Sequence, residues 1–316
     1  MLESAPLLGG VFLGWSLGAN DAANVFGTAV ASRIITYRKA CVLCGLAVVT
    51  GAFLQGGAGI NTLSHLTDQT TVTLMITSVS AAVTVTLMTI FRLPISTSQA
   101  IVGSITGIGL ATGYMDWRLL EKVVICWVAT PVGAMLFACI VYKLLGAVIR
   151  YSPISMLTRD KILWGGLIVV GVYGSFALGA NNVANATGIF SGTLPGVTDL
   201  HLALVGGVAI TLGVATYSKR VMLAVGSGIM QLDAFTALVA VSAMSISLHI
   251  FATVGVPVSA SQGIVGAIVG IGMMRGVKSI RLNILRDIGV GWLLTPAISL
   301  VLAAAAYAVL SGINTV

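Results

Sequence analysis

Apolar runs of about twenty residues follow one another along almost the whole chain, the length a helix needs to cross the hydrocarbon of a bilayer. The pattern predicts an all-α integral membrane protein with apolar segments near 5–31, 40–58, 70–91, 94–112 and 123–149, then 162–190, 201–218, 233–254, 257–274 and 287–310. A further short apolar stretch at 221–231 has no fixed place in that series. Polar groups interrupt two segments near their middles, at Gly18-Ala19-Asn20-Asp21 and at Gly179-Ala180-Asn181-Asn182. Carboxylates and amides at that depth are expensive and need a reason.

The two interruptions belong to an internal repeat. LGANDAAN at Leu17 to Asn24 reappears as LGANNVAN at Leu178 to Asn185, and PISTSQAIVG at Pro94 to Gly103 reappears as PVSASQGIVG at Pro257 to Gly266. Trp127 to Pro131 matches Trp292 to Pro296, so the three features recur in one order, 161, 163 and 165 residues apart. The reading is a first membrane repeat over 1–149, a short cytoplasmic linker over 150–161 and a second repeat over 162–316. About five crossings is an odd number, so the second copy lies inverted relative to the first. Broken helices from the two copies are then expected to meet near the midplane.

Charge tests the inversion. If the loop with Arg33, Arg38 and Lys39 is cytoplasmic, alternation puts 14 of the 16 basic residues on that side, leaving only Arg118 and Lys122 outside. That is the bias of cytoplasmic loops, and it predicts both termini outside. The net charge of +7 is thereby read as topology and not as a nucleic-acid surface. With 57% apolar and 8% charged residues, a soluble globular domain is excluded. No basic n-region or small-residue cleavage pattern opens the chain, so its first apolar segment is expected to stay in the membrane. The four cysteines lie in apolar segments and read as packing residues.

The candidate chemistry sits in the repeated motifs. Asn and Asp are poor inside helices and good at their starts, so Gly18 to Asp21 and Gly179 to Asn182 read as helix breaks. Asn24 and Asn185 follow one turn on. Such breaks offer carbonyls to a cation and amides to an anion. Asn20, Asp21, Asn181 and Asn182 are therefore candidate Na⁺ ligands. The hydroxyl-rich runs after Pro94 and Pro257, with Ser96, Thr97, Ser98, Gln99, Ser259, Ser261 and Gln262, read as helix starts that cradle an anion together with Asn24 and Asn185. No Lys or Arg lies deep in an apolar segment. Helix dipoles supply only about half a charge per terminus, so a desolvated oxyanion needs a co-bound Na⁺ or proton, with Asp21 the natural partner. His249 reads as a hydrogen-bonded packing residue, Asp233 and Asp287 as N-terminal caps, and Gln55 and Asn61 as solvated.

The duplicated Gly-Ala-Asn-Asp and Pro-Ile/Val-Ser-x-Ser motifs resemble the inorganic phosphate transporter (PiT) family across nearly the whole chain. The resemblance implies symport of phosphate with Na⁺ or protons, a homodimer, and a role for the residues just named in the ion and substrate site. Its short linker fits the prokaryotic members, located in the inner (plasma) membrane. Two positions depart from the pattern: Asn182 stands where the second signature usually has Asp, and Gln99 and Gln262 stand where many members have His. Both changes point away from phosphate and toward sulfate, because protonated phosphate needs a hydrogen-bond acceptor and fully ionised sulfate does not. A sulfate permease on the same fold is the alternative. A membrane redox or enzyme subunit is disfavoured by three histidines without haem spacing, and no resident cofactor is expected.

Overall fold

The computed structural model describes residues 6–90, 95–225, 232–276 and 281–312. Regular structure among them is helical throughout: α1 (Leu7–Ala31), α2 (Tyr37–Gln55), α3 (Gly57–Ser64), α4 (Thr71–Ile90), α5 (Thr97–Thr112), α6 (Trp117–Tyr151), α7 (Met156–Thr187), α8 (Asp199–Thr216), α9 (Ser218–Val225), α10 (Ala234–Val254), α11 (Ala260–Arg275) and α12 (Leu282–Gly312). A 3₁₀ turn, Gly188–Phe190, extends α7. Seven helices, α2, α4, α6, α7, α8, α10 and α12, are long and apolar enough to cross a membrane, so the protein is a multi-pass membrane protein. The stretch at 221–231 begins inside α9, and its residues 226–231, like Arg92, Pro94 and Lys278, lie outside the described residues.

The expected helix breaks at the Gly-Ala-Asn motifs do not occur. Both α1 and α7 run through them without interruption, and the glycines serve close packing instead. A Cβ on Gly18 would overlap the Ile210 carbonyl of α8, and a Cβ on Gly179 would overlap the Val48 carbonyl of α2. Small residues of this kind let helix backbones touch in lipid, where packing replaces the hydrophobic drive. Gly213 on Trp15 and Gly51 on Phe176 repeat the arrangement from the opposite side of each pair.

The chain breaks lie elsewhere. α4 runs alongside α1 in the same direction, with Ser16 bonded to Thr86 at 2.9 Å and Asn20 to Thr89 at 3.2 Å. α5 then returns, so that Gly109 lies beside Thr67 and the Asp116 amide donates to Leu66 O at 3.0 Å, next to where α4 began. α10 and α11 form the matching hairpin along α7, closed at its open end by Arg275 on Asp233, the residue that caps α10. At 16 residues, α5 and α11 span about 24 Å each, short of the roughly 30 Å hydrocarbon. Pro257 precedes its helix by three residues; Ser96 and Ser259 are the N-caps, accepting from Gln99 N and Gln262 N.

The copies interlock by exchange. α5 packs on α12 where Gly103 meets Pro296, and α11 packs on α6 where Gly266 meets Pro131. α1 and α7 pack antiparallel: Gly10 lies against Ala186 and Phe190, while Gly171 and Gly174 lie against Phe26 and Val25. Their motifs therefore cross at the centre of the bundle. We expect Gly18→Leu and Gly179→Leu each to destabilise the protein by about 2 kcal/mol, the usual penalty of overpacking. Gly165→Ala, which meets nothing within 4 Å, should be neutral or stabilising. Thermal unfolding in detergent checks this, and equal midpoints for all three would refute the packing role.

Candidate functional site

The crossing of α1 and α7 brings Asp21 against Asn182. Asn182 Nδ2 donates to Asp21 Oδ2 at 2.7 Å, and the Thr97 hydroxyl, in the first turn of α5, donates to the same oxygen at 3.1 Å. The carboxylate is 1% exposed, and the two partners found for it among the described residues are neutral. The ion pairs found among the described residues, Arg275 with Asp233 and Arg286 with Asp287, involve other acids. Asp233 is a helix cap as expected; burial raises its carboxyl, but the Thr236 amide and Arg275 prevail and hold it below the usual range.

From Asn182 the network runs on through the second copy. Asn182 Oδ1 accepts from Asn181 Nδ2 at 2.8 Å and from Asn185 Nδ2 at 3.2 Å. Asn181 also grips the extended segment before α11 at both ends of one residue: its Nδ2 donates to Val258 O at 2.7 Å and its Oδ1 accepts from Val258 N at 3.0 Å. The hairpin turns touch each other, because the Ser261 hydroxyl donates to Ile95 O at 2.5 Å. Ser259 and Ser261 are 2.7 Å apart, and Ser96 and Ser98 3.3 Å apart. Both short helices thus aim their N-terminal amides, with no intrahelical partners, at the region around Asp21 and Asn182.

Of the residues read as candidates, Asp21, Asn181, Asn182, Asn185 and Thr97 form one hydrogen-bonded chain, and Ser96, Ser98, Ser259 and Ser261 form the hairpin turns beside it. Asn20 departs: it is half-buried and turns to Thr89 on α4 instead of gripping a hairpin turn as Asn181 does. Gln99 and Gln262 stand at the third position of Ser-x-x-Gln capping boxes, yet only the serine half of each box forms. Their side chains are left for other work.

Six buried side-chain polar atoms lack a partner among the described residues: Asn24 Nδ2, Asn185 Oδ1, Gln99 Oε1, Gln262 Oε1, Trp127 Nε1 and Trp292 Nε1. All six fall into three pairs related by the repeat. Orphaned buried groups are rare enough to call for an explanation, and a bound ligand is one. The tryptophans escaped the sequence reading as site residues, although their repeat was visible. Trp127 stands one turn before Pro131, and Pro131 meets Gly266, one turn after Gln262; Trp292, Pro296, Gly103 and Gln99 repeat the relation. Each indole is thereby at the height of a short helix's first turn.

Comparison with known proteins adds to this geometry. A model of the phosphate transporter family matches residues 17–303. A provisionally assigned phosphate permease of Methanocaldococcus jannaschii is 30% identical over 291 residues, spanning 92% of this chain and 92% of its own. A sulfate permease of Bacillus subtilis is 31% identical over 309 residues, spanning 95% and 85%. A solved structure described as the sodium-dependent phosphate transporter superposes with a TM-score of 0.85 over 98% of this chain and 99% of that one; at 23% identity the likeness is one of fold. Asn181→Ala should destabilise the protein by about 3 kcal/mol by orphaning both polar groups of Val258, whereas Asn20→Ala should change it by about 1 kcal/mol or less. Thermal midpoints of the two variants measure the difference, and equal losses would contradict the clamp.

Proposed function

This chain belongs to the phosphate transporter family, and from that premise we propose that it imports inorganic phosphate across the cell membrane by symport with Na⁺ or a proton. The anion is held between the two hairpin turns by the hydroxyls of Ser96, Ser98, Ser259 and Ser261 and the open amides of α5 and α11. The cation sits at Asp21, with the amide oxygens of the Asn-rich motifs near it. Burying a carboxylate and an oxyanion together is prohibitive unless a cation joins them, and this links the two fluxes.

The observation that carries phosphate over sulfate is the mixture of orphaned groups. Donors at Asn24, Trp127 and Trp292 and acceptors at Asn185, Gln99 and Gln262 are both without partners among the described residues. Monohydrogen phosphate both accepts and donates, and can match the two kinds; sulfate, with acceptors alone, offers no hydrogen to the Gln99 and Gln262 oxygens, which lie outside the Asn-rich motifs given to the cation. The similarity to the sulfate permease of Bacillus subtilis keeps sulfate as the second reading.

The antiparallel crossing of α1 and α7 and the exchanged packing of the short helices support two inverted repeats, 1–149 and 162–316, joined by a cytoplasmic linker at 150–161. In each, three traverses (α1, α2 and α6; α7, α8 and α12) and one hairpin (α4–α5; α10–α11) entering from a single face replace five separate crossings, so that α4 and α10, though long and apolar enough to cross, serve as hairpin arms, and α1 crosses despite its polar motif. That number is still odd, so we keep the inversion and the external termini, although Arg92, between α4 and α5, no longer counts toward the cytoplasmic side. The hairpins reach the depth of Asp21 and stop there, a geometry that delivers two helix N-termini to mid-membrane.

Proteoliposomes should accumulate labelled phosphate under an inward Na⁺ or proton gradient, and Asp21→Asn should reduce concentrative uptake at least about tenfold, as expected when a ligand specific to the coupled state is lost. Uptake driven by neither gradient would overturn the symport. Competition by sulfate with no effect of excess phosphate would move the substrate to the second reading.

A further inference from the structure

The repeat places four residues of one copy at the positions of four others, and the two sets are in different states. Phe12, Trp15, Thr86 and Tyr217 correspond to Tyr173, Phe176, His249 and Gln55, by the same spacings that relate the motifs and the glycine contacts. In the second set His249 fills the space. In a neutral imidazole one nitrogen donates and the other accepts: Nε2 donates to Gln55 Oε1 at 2.6 Å, and Nδ1 accepts from the Tyr173 hydroxyl at 2.8 Å. Tyr173 and Phe176 pack edge-on against its ring. The expectation that Gln55 is solvated is thus corrected: it ties α2 to α10 across the two copies.

In the first set the smaller Thr86 stands where His249 does, and the space is open. A cavity of about 100 Å³ is lined by Trp15, Ser16, Thr86, Thr89 and Tyr217. It reaches the motif: Thr89 accepts from Asn20 Nδ2, and Asn20 is half-buried whereas its counterpart Asn181 is 2% exposed. Tyr217 ends α8 beside Lys219 and Arg220, the basic end that the charge bias assigns to the cytoplasm.

We infer that the cleft over Thr86 and Thr89 is the cytoplasmic mouth of the pathway, and that the Tyr173–His249–Gln55 chain is a latch closing the equivalent mouth on the outer side. This rests on the transporter reading but on neither substrate nor coupling ion. Inverted copies open to opposite faces, so one mouth must close as the other opens. Opening the outer mouth requires breaking both bonds of His249, while closing the inner one requires the aromatic group of Phe12, Trp15 and Tyr217 to move over Thr86.

Exchanging the repeat-related residues tests the latch. With the native cysteines replaced, reporters Thr89→Cys and Ala252→Cys occupy matched positions, and an impermeant maleimide is applied to vesicles of each orientation. Thr89→Cys should react from the cytoplasmic face and Ala252→Cys from neither. Adding His249→Thr should raise outside labelling of Ala252→Cys and lower inside labelling of Thr89→Cys by about tenfold, the shift that two ordinary hydrogen bonds support. Gln55→Leu should act in the same direction with a smaller shift, and Thr86→His should protect Thr89→Cys; these carry the test if His249→Thr fails to fold. Unchanged labelling of Ala252→Cys in folded latch variants, or reaction of Thr89→Cys only from outside, would overturn the proposal. Labelling needs no phosphate and no sodium, so an error in the substrate would leave these outcomes unaffected.

Discussion

Among the described residues one carboxylate is buried, Asp21, and the partners found for it are neutral; that constraint governs the molecule. Asp21 lies on an unbroken helix at the centre of the bundle, hydrogen-bonded to a hydroxyl from its own copy and an amide from the other. Neutral donors lower the energy of its charge without cancelling it, because in a low-dielectric interior two hydrogen bonds replace only part of the lost hydration. Such a group is stable while a proton or cation shares its site. On the proposed function, an oxyanion bound nearby strengthens that requirement and links anion binding to cation binding.

Helix packing makes the arrangement possible. Glycines at 18 and 179 bring α8 and α2 to backbone contact with the motif helices, and glycines at 103 and 266 do the same for the short helices against the proline turns of α12 and α6. The contacts cross between copies, so a relative movement of the halves displaces both hairpins together. The hairpin turns meet through Ser261 and Ile95, which places the two helix N-termini within reach of one small ligand. A transporter needs a site assembled from parts that can move with respect to one another, and interlocked copies supply that.

Much of this was legible in the chain. The repeat, the helical class, the membrane setting and the charge bias are properties of spacing and composition, and the motifs that recur are those that meet at the site. The continuity of α1 and α7 was not legible, because Gly followed by Asn and Asp has the same composition whether it ends a helix or admits a neighbouring backbone; only the partner helix decides. Segment lengths near twenty residues likewise do not distinguish a traverse from the arm of a hairpin. Gln55 and His249 are 194 positions apart, and their bond depends on the packing of α2 against the other copy. Trp127 and Trp292 were visible as a repeat, yet the lack of partners that marks their N–H groups exists only in the folded chain.

The central claim is that the anion is held by neutral donors and helix ends and becomes tolerable only with a co-bound cation. Calorimetric titration of the purified protein with phosphate, at a series of Na⁺ concentrations and pH values, tests it most directly. Affinity should rise with Na⁺ or with falling pH, and that dependence should vanish when Asp21 carries an amide. Phosphate binding of equal strength across all Na⁺ concentrations and pH values in the native protein would contradict the account.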